Sequence, residues 1–290
     1  MINRFLFLIL MGLSVFSINA FQWPVSEISV LASFGQNEFG SFLKGINLGG
    51  SPQDVKALDS GELVFYSHQA ESPLDLPSGL GTYVIYQHNN GIRSLYGHLQ
   101  DNSILTDKLI VSLEDVIGKT GNTGMDPGSM LYLQLIDTGF KKYINPLLSL
   151  PLLNDQLKPR IKNVYILSHG EKIILNPKTN IKSGVFGLCA DIRDSGVNTD
   201  FYNPLAPFSI SLYLNGENLA NINFESLKVV EGNMLLQESD GISFEELYKN
   251  DWEYFLGEFE FNPGDVMIEI SVKDFSGNEG VKLIPLKITD

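Results

Sequence analysis

"GTYVIYQHNNGIRSLYGHL", Gly81 to Leu99, decides the fold class. Val84-Ile85-Tyr86 and Ile92 to Tyr96 are short, β-branched and aromatic runs, the residue types that suit a pleated, half-buried surface. Between them stands "HNNG", where Asn and Gly tolerate the positive φ of a tight turn. The stretch therefore predicts a β-hairpin over residues 82 to 99. Outward from it, Phe21 to about Pro146 continues as short alternating runs broken by glycine, the pattern of an all-β domain. "VSLEDVIGKTGNTG", Val111 to Gly124, carries three glycines in loop positions and leads into "DPGSMLYLQLID", Asp126 to Asp137. In that segment Leu131, Leu133 and Leu135 alternate with Met130, Tyr132 and Gln134. Exposing three leucines would forfeit up to about 1.5–3 kcal/mol of burial each, so the leucines are assigned to the core. Met130, Tyr132 and Gln134 then point the other way, partly exposed.

A chain of 290 residues has room for two domains with separate cores. Residues 147 to 160, "LLSLPLLNDQLKPR", hold two prolines and no clear period, and mark the boundary. Beyond it, "VMIEISVK" alternates Val266, Ile268, Ile270 and Val272 with Met267, Glu269, Ser271 and Lys273, "DFSGNEG" turns the chain, and Val281 to Ile288 returns as the partner strand. Pro285 disturbs that alternation, as at an edge or a bulge. One helix is expected in this half: Ser243 and Glu246 form a capping box, Phe244, Leu247, Tyr248, Trp252 and Phe255 share a helical face, and Gly257 ends it.

The ends and the charge limit the functions available. Arg4 followed by an apolar run of 13 residues, Phe5 to Ser17, and a polar stretch ending at Ala20 has the form of a secretory signal. It is shorter than the roughly 20 apolar residues that span a bilayer. Cleavage after Ala20 would leave 19 basic against 34 acidic side chains, a net charge of −15. That charge disfavours nucleic acid and anionic membrane surfaces as partners. Cys189 is the one cysteine, which excludes an intrachain disulfide framework. The four histidines, His68, His88, His98 and His169, show no zinc-pair spacing. Neither a G-x-S-x-G elbow nor a phosphate-binding loop is present.

Five blocks in order resemble the LytM or lysostaphin type of zinc endopeptidases, which cut peptide cross-links in bacterial cell walls. They are "FQWPV" with "SFG" (Phe21 to Gly35), "FLKGINL" (Phe42 to Leu48), the hairpin segment, "VIGKTGNTG" (Val116 to Gly124), and "GSMLYLQL" with the later "NP" (Gly128 to Pro146). The resemblance implies a lysostaphin-like antiparallel β domain at residues 21–150, after a signal at 1–20. It also implies that zinc would be held where Leu43, Asn47 and Tyr132 stand, since the family reads F-H-x-G-x-D in the second block and H-L-H in the last. Met130 occupies the catalytic histidine position, and only His98, in "YGHL", survives from the site. Leucine has no lone pair to offer and tyrosine would have to ionise far below its usual pKa of roughly 10. The expectation is therefore a catalytically inactive member with no cofactor, vestigial at His98. Its groove candidates are Asn47, Tyr96, His98, Met130, Tyr132 and Gln134.

Residues 161–290 more weakly resemble a bacterial immunoglobulin-like β-sandwich, through "SVKDFSGNEGVKLIPLKI". Degenerate members of the peptidase family activate separate wall amidases. The resemblance thus implies an exported, periplasmic or envelope-associated binding or regulatory module whose partner is a wall hydrolase, another envelope protein or peptidoglycan. The alternative is an active zinc endopeptidase using His98 with unconventional ligands such as His68 or Asp126. His88 matches a position that is commonly histidine in the family without binding metal.

Overall fold

The computed structural model describes residues 21–71, 78–124, 128–168, 170–196, 204–236 and 241–290; the expected signal segment and Asp126 lie outside them. Their regular elements are β-strands, apart from one four-residue α-helix and short 3-10 turns. The hairpin forms as expected, with strands Thr82–His88 and Ile92–Leu99. Thr82, Val84, Tyr86 and His88 are buried at every second position, and Gly91 supplies a positive φ of 82° at the turn.

The Met130–Asp137 strand is the axis of the first half. It pairs antiparallel with Ile92–Leu99 on one edge and with Ile46–Gly49 on the other, then with Lys142–Ile144 along its C-terminal end. Leu131, Leu133 and Leu135 are fully buried, as their alternation requires. Met130, Tyr132 and Gln134 are buried as well, not partly exposed. The reason is close cover: a Cβ on Gly45 would lie 2.7 Å from Tyr132 Cε2, so the backbone of the 43–47 segment rests directly on the tyrosine ring.

Residues 160–290 contribute two five-stranded sheets, one ordered around Arg160–Ser168, Gly184–Arg193 and Glu253–Phe261, the other around Ser209–Leu214, Gly264–Lys273 and Glu279–Thr289. Ile166, Leu188 and Ala190 from the first and Ile210, Ile270 and Ile284 from the second are buried in one core. The β-sandwich expected from the final hairpin is therefore present. Pro285 sits opposite Met267, on a stretch whose other edge is not covered by Asn180–Lys182, which pairs only with Lys287–Thr289. An edge position tolerates the missing N–H.

The expected helix is cut short. Ser243 accepts from Glu246 N and the capping box closes, but the helix covers only Phe244–Leu247. Tyr248–Asn250 and Glu253–Phe261 are strands, and Gly257 lies inside the second with a φ of 131°. The aromatic-rich run "YFLGEFEF" has strand preference, and burying Tyr254 and Leu256 on one face puts Phe255 on the other.

The two halves share backbone and core. Ser226–Val230 pairs with Lys142–Ile144, so the strands Ser226–Val230, Asn233–Leu236 and Ile242–Ser243 extend the first half's sheet to eleven strands. A chain of aromatic contacts runs across the same junction, from Phe42 to Phe244 (5.4 Å), Phe244 to Tyr248 (4.9 Å) and Tyr248 to Tyr254 (5.0 Å). Tyr248 Oη donates to Gly35 O at 2.8 Å, and Trp23 Nε1 donates to Pro151 O at 3.0 Å. Phe224 packs so tightly on Gly35, whose φ is 79°, that a side chain there would collide with its ring.

Near this junction Asp194 is buried, accepting from Ser195 N at 2.8 Å. Burial and the neighbouring Asp274 push its carboxyl up to about 7. A carboxyl held above its unfolded value favours the folded state only while protonated there, so stability falls as pH rises from about 4 to about 7. Asp194→Asn keeps the acceptor and removes the charge. The variant is expected to unfold at higher denaturant than wild type at pH 8, by about 1–2 kcal/mol, and to match it near pH 4.

Candidate functional site

Leu43, Asn47 and Tyr132, the positions that the resemblance assigns to metal, lie close together. Asn47 lies directly opposite Tyr132 across one strand pair, and Gly97 lies opposite Tyr132 across the other. Leu43, Leu95 and Tyr132 form a small hydrophobic cluster of their own, separate from the main core, with Leu80, Tyr83 and Ile85 packed against it. Tyr132 Oη donates to Gln134 Oε1 at 2.8 Å. Burial, with Glu38 and Tyr143 nearby, holds the phenol well above its ordinary value, so it stays neutral.

His98 reaches this cluster by an irregular route. Along Ile92–Leu99 the side chains alternate, so Leu95 and Gly97 face Tyr132 while Tyr96 faces the main core. Continued alternation would send His98 into the core too. Instead His98 adopts a left-handed φ of 58°, which turns its ring back to 6.0 Å from that of Tyr132. Its backbone N donates to Leu80 O at 2.8 Å, and Nδ1 lies 2.9 Å from Thr123 O. A carbonyl can only accept, so Nδ1 is the donor in that bond.

Above the cluster is an open groove of about 430 Å³, with Tyr132, Gln134, Leu95 and His98 as floor and Glu38, Phe39, Lys44 and Tyr143 along the rim. Lys44 Nζ stands 5.6 Å from the Tyr143 ring centre. Phe39 is 87% exposed at the tip of the Asn37–Glu38 and Ser41–Phe42 turn, where it and Gly40 both have positive φ. The rim residues were not singled out from sequence. Their signal was "NEFGS", a turn that puts a bulky aromatic where φ is positive.

Two groove assignments change, Tyr96 and Met130. Tyr96 is not a groove residue: it is fully buried in the main core, and its Oη accepts from Leu58 N at 2.9 Å. Met130 is buried at the start of its strand, opposite Gly49 and bonded to Gly121. His88 faces the core, with Nδ1 2.9 Å from Ser60 O and Nε2 2.8 Å from Ser94 Oγ. His68 is buried with its Nδ1 unpartnered, beside Tyr66.

Whether zinc fits is decided by these side chains. Leu43 has no donor atom, Tyr132 is neutral and hydrogen-bonded, and Asn47 offers one neutral oxygen, Oδ1, which is buried without a partner. Among the described residues no group of three or more His, Cys, Asp and Glu is placed to hold a metal. The side chains at these positions do not fit zinc. Cys189 offers no substitute nucleophile, since it is buried and burial pushes its thiol up.

This arrangement of strands, with the 43–47 segment laid across the central strand and a histidine turned onto it, is that of a peptidase-like β domain. Residues 41–146 match the family model of peptidase family M23. A second family model matches residues 158–289. No curated protein matches the chain. Among solved structures, the catalytic domain of the prophage-encoded M23 protein EnpA from Enterococcus faecalis is 20% identical, with 42% of this chain and 90% of that one covered and a TM-score of 0.35. The lysostaphin catalytic domain from Staphylococcus simulans is 22% identical over 39% and 84%, with a TM-score of 0.33. A chain of the SpoIIQ–SpoIIIAH pore forming complex is 23% identical over 45% and 90%, with a TM-score of 0.36. No helix among the described residues is long and apolar enough to cross a membrane.

Restoring the ligands tests this placement. The variant Leu43→His, Asn47→Asp, Met130→His and Tyr132→His should bind zinc near one equivalent by metal analysis, while wild type handled in parallel does not. A correctly folded variant that gains no zinc would contradict the register.

Proposed function

We propose that the chain is a catalytically inactive M23-type protein of the bacterial cell envelope that binds through its groove and regulates cell-wall metabolism, activating a separate wall hydrolase. The observation that carries the reading is the Leu43–Leu95–Tyr132 cluster. All three ligand positions have been converted together into packed or neutral side chains, so one substitution does not restore hydrolysis. The groove above them is kept open, with an exposed aromatic, Phe39, and a cation, Lys44, at its rim. Exposed aromatic side chains are favoured at protein recognition surfaces. The second module, which we read as immunoglobulin-like, braces that rim: Asn37 Nδ2 donates to Asp251 Oδ1 at 2.7 Å and Phe42 packs on Phe244 and Tyr248. Export to the envelope is part of the proposal, and peptidoglycan peptides are the second class of ligand.

Tyr132 is a poor probe of this function, because truncating a buried aromatic costs about 3–5 kcal/mol in stability whatever the groove does. The rim is the better place. Phe39→Ser with Lys44→Glu should leave thermal unfolding nearly unchanged. The same pair should reduce stimulation of a purified envelope wall hydrolase, read as dye release from labelled peptidoglycan, by about tenfold, the effect of losing one aromatic anchor. Stimulation that is equal in wild type and variant would refute a role for the groove.

A further inference from the structure

The Gly61–Ser67 strand lies near the end of the eleven-stranded sheet, and only part of it is covered. Gly61 and Glu62 pair with Val111 and Ile110, and Leu63 N donates to Leu109 O at 2.8 Å. Past that point no described residue pairs with the outer side of Val64 to Ser67. This open edge is apolar: Val64, Phe65 and Tyr66 are each more than 40% exposed, and Leu109 and Ile110, which line up beyond it, are 65% and 69% exposed. Edge strands usually carry charged side chains that block pairing, and Val64 to Tyr66 carry none. A bulge at Val64 resets the alternation. Phe65 lies against Tyr83, 5.7 Å away, and Tyr66 against His68, 5.6 Å away.

We propose that this edge binds an extended segment of a partner protein, which adds a strand beside Val64 to Ser67, collinear with Ile110–Val111, and carries lysine or arginine around an alternating apolar centre. The unpaired backbone row selects a β-strand, because only a strand offers donors and acceptors at matching spacing. The exposed Val, Phe and Tyr select apolar side chains on the occupant. Charge selects the sign of its flanks: Glu62 and Glu71 stand on either side of the open stretch in the chain, Lys108 in the neighbouring loop is paired with Asp115 at 2.7 Å, and the whole chain carries a net charge of −14. A second copy would bring the same acidic flanks to the contact, so a basic partner is the occupant favoured. The surface is separate from the groove rim, and its test does not depend on the groove's function.

The probe is a synthetic capped peptide of alternating valine and threonine with two lysines at each end, titrated into the full-length mature protein and followed by amide NMR shifts. Shifts should centre on Leu63 to Ser67 and Leu109 to Val111. N-methylation of alternate residues on one edge of the peptide, exchange of its lysines for glutamates, and the protein variant Val64→Lys should each weaken binding about tenfold, the scale of one or two lost backbone bonds or a reversed charge contact. Phe39→Ser with Lys44→Glu should leave peptide binding unchanged. Shifts centred elsewhere, equal binding of the N-methylated peptide, or no binding would overturn the proposal. So would concentration-dependent dimerisation that Val64→Lys abolishes, since the occupant would then be a second copy.

Discussion

The contact between the Tyr132 ring and the backbone at Gly45 is the constraint on which the first half of the molecule turns. Only glycine lets the 43–47 segment come so close to the central strand, and that closeness sets Asn47 opposite Tyr132 and brings Leu43 against it. In a hydrolase of this family the same approach would bring ligands to a metal. Here it brings a methyl-bearing side chain, a neutral amide and a neutral phenol together. The energy goes into packing: a buried tyrosine and two leucines close a cluster that a hydrated metal centre would have kept polar.

From that strand the architecture propagates outward in both directions. On one side, the Ile92–Leu99 and Thr82–His88 hairpin carries the sheet to the open Gly61–Ser67 edge. On the other, Lys142–Ile144 accepts strands contributed from residues 226–243, so the sandwich half completes the sheet of the peptidase-like half. The aromatic contacts from Phe42 to Tyr254 fasten this junction next to the groove rim. A ligand bound at the rim therefore touches side chains whose supports come from both halves.

Strong local periodicity was legible, and contacts between distant segments were not. The hairpin at 82–99, the leucine face of Met130–Asp137 and the last hairpin of the sandwich follow from alternation alone. Asn47, Tyr132 and His98 were placed near one another through spacing and resemblance. Tyr96 has the same strand parity as His98, but the left-handed φ of His98 breaks the alternation, so His98 turns to the groove while Tyr96 stays in the core. The helix was overextended because Phe244, Leu247, Tyr248, Trp252 and Phe255 satisfy a helical period, while tertiary pairing with Gly184–Arg193 draws Glu253–Phe261 into a sheet. Pairing between Lys142–Ile144 and Ser226–Val230 could not be read, since nothing local in either segment names the other.

The proposed role of the groove depends on residues 41–146 holding no catalytic zinc ion. Metal analysis of the purified wild-type protein, after incubation with zinc and gel filtration and paired with an assay of peptidoglycan hydrolysis, tests it most directly. The account predicts well under one zinc per chain and no chelator-sensitive hydrolysis. One zinc per chain, accompanied by hydrolysis that a chelator abolishes and zinc restores, would contradict it.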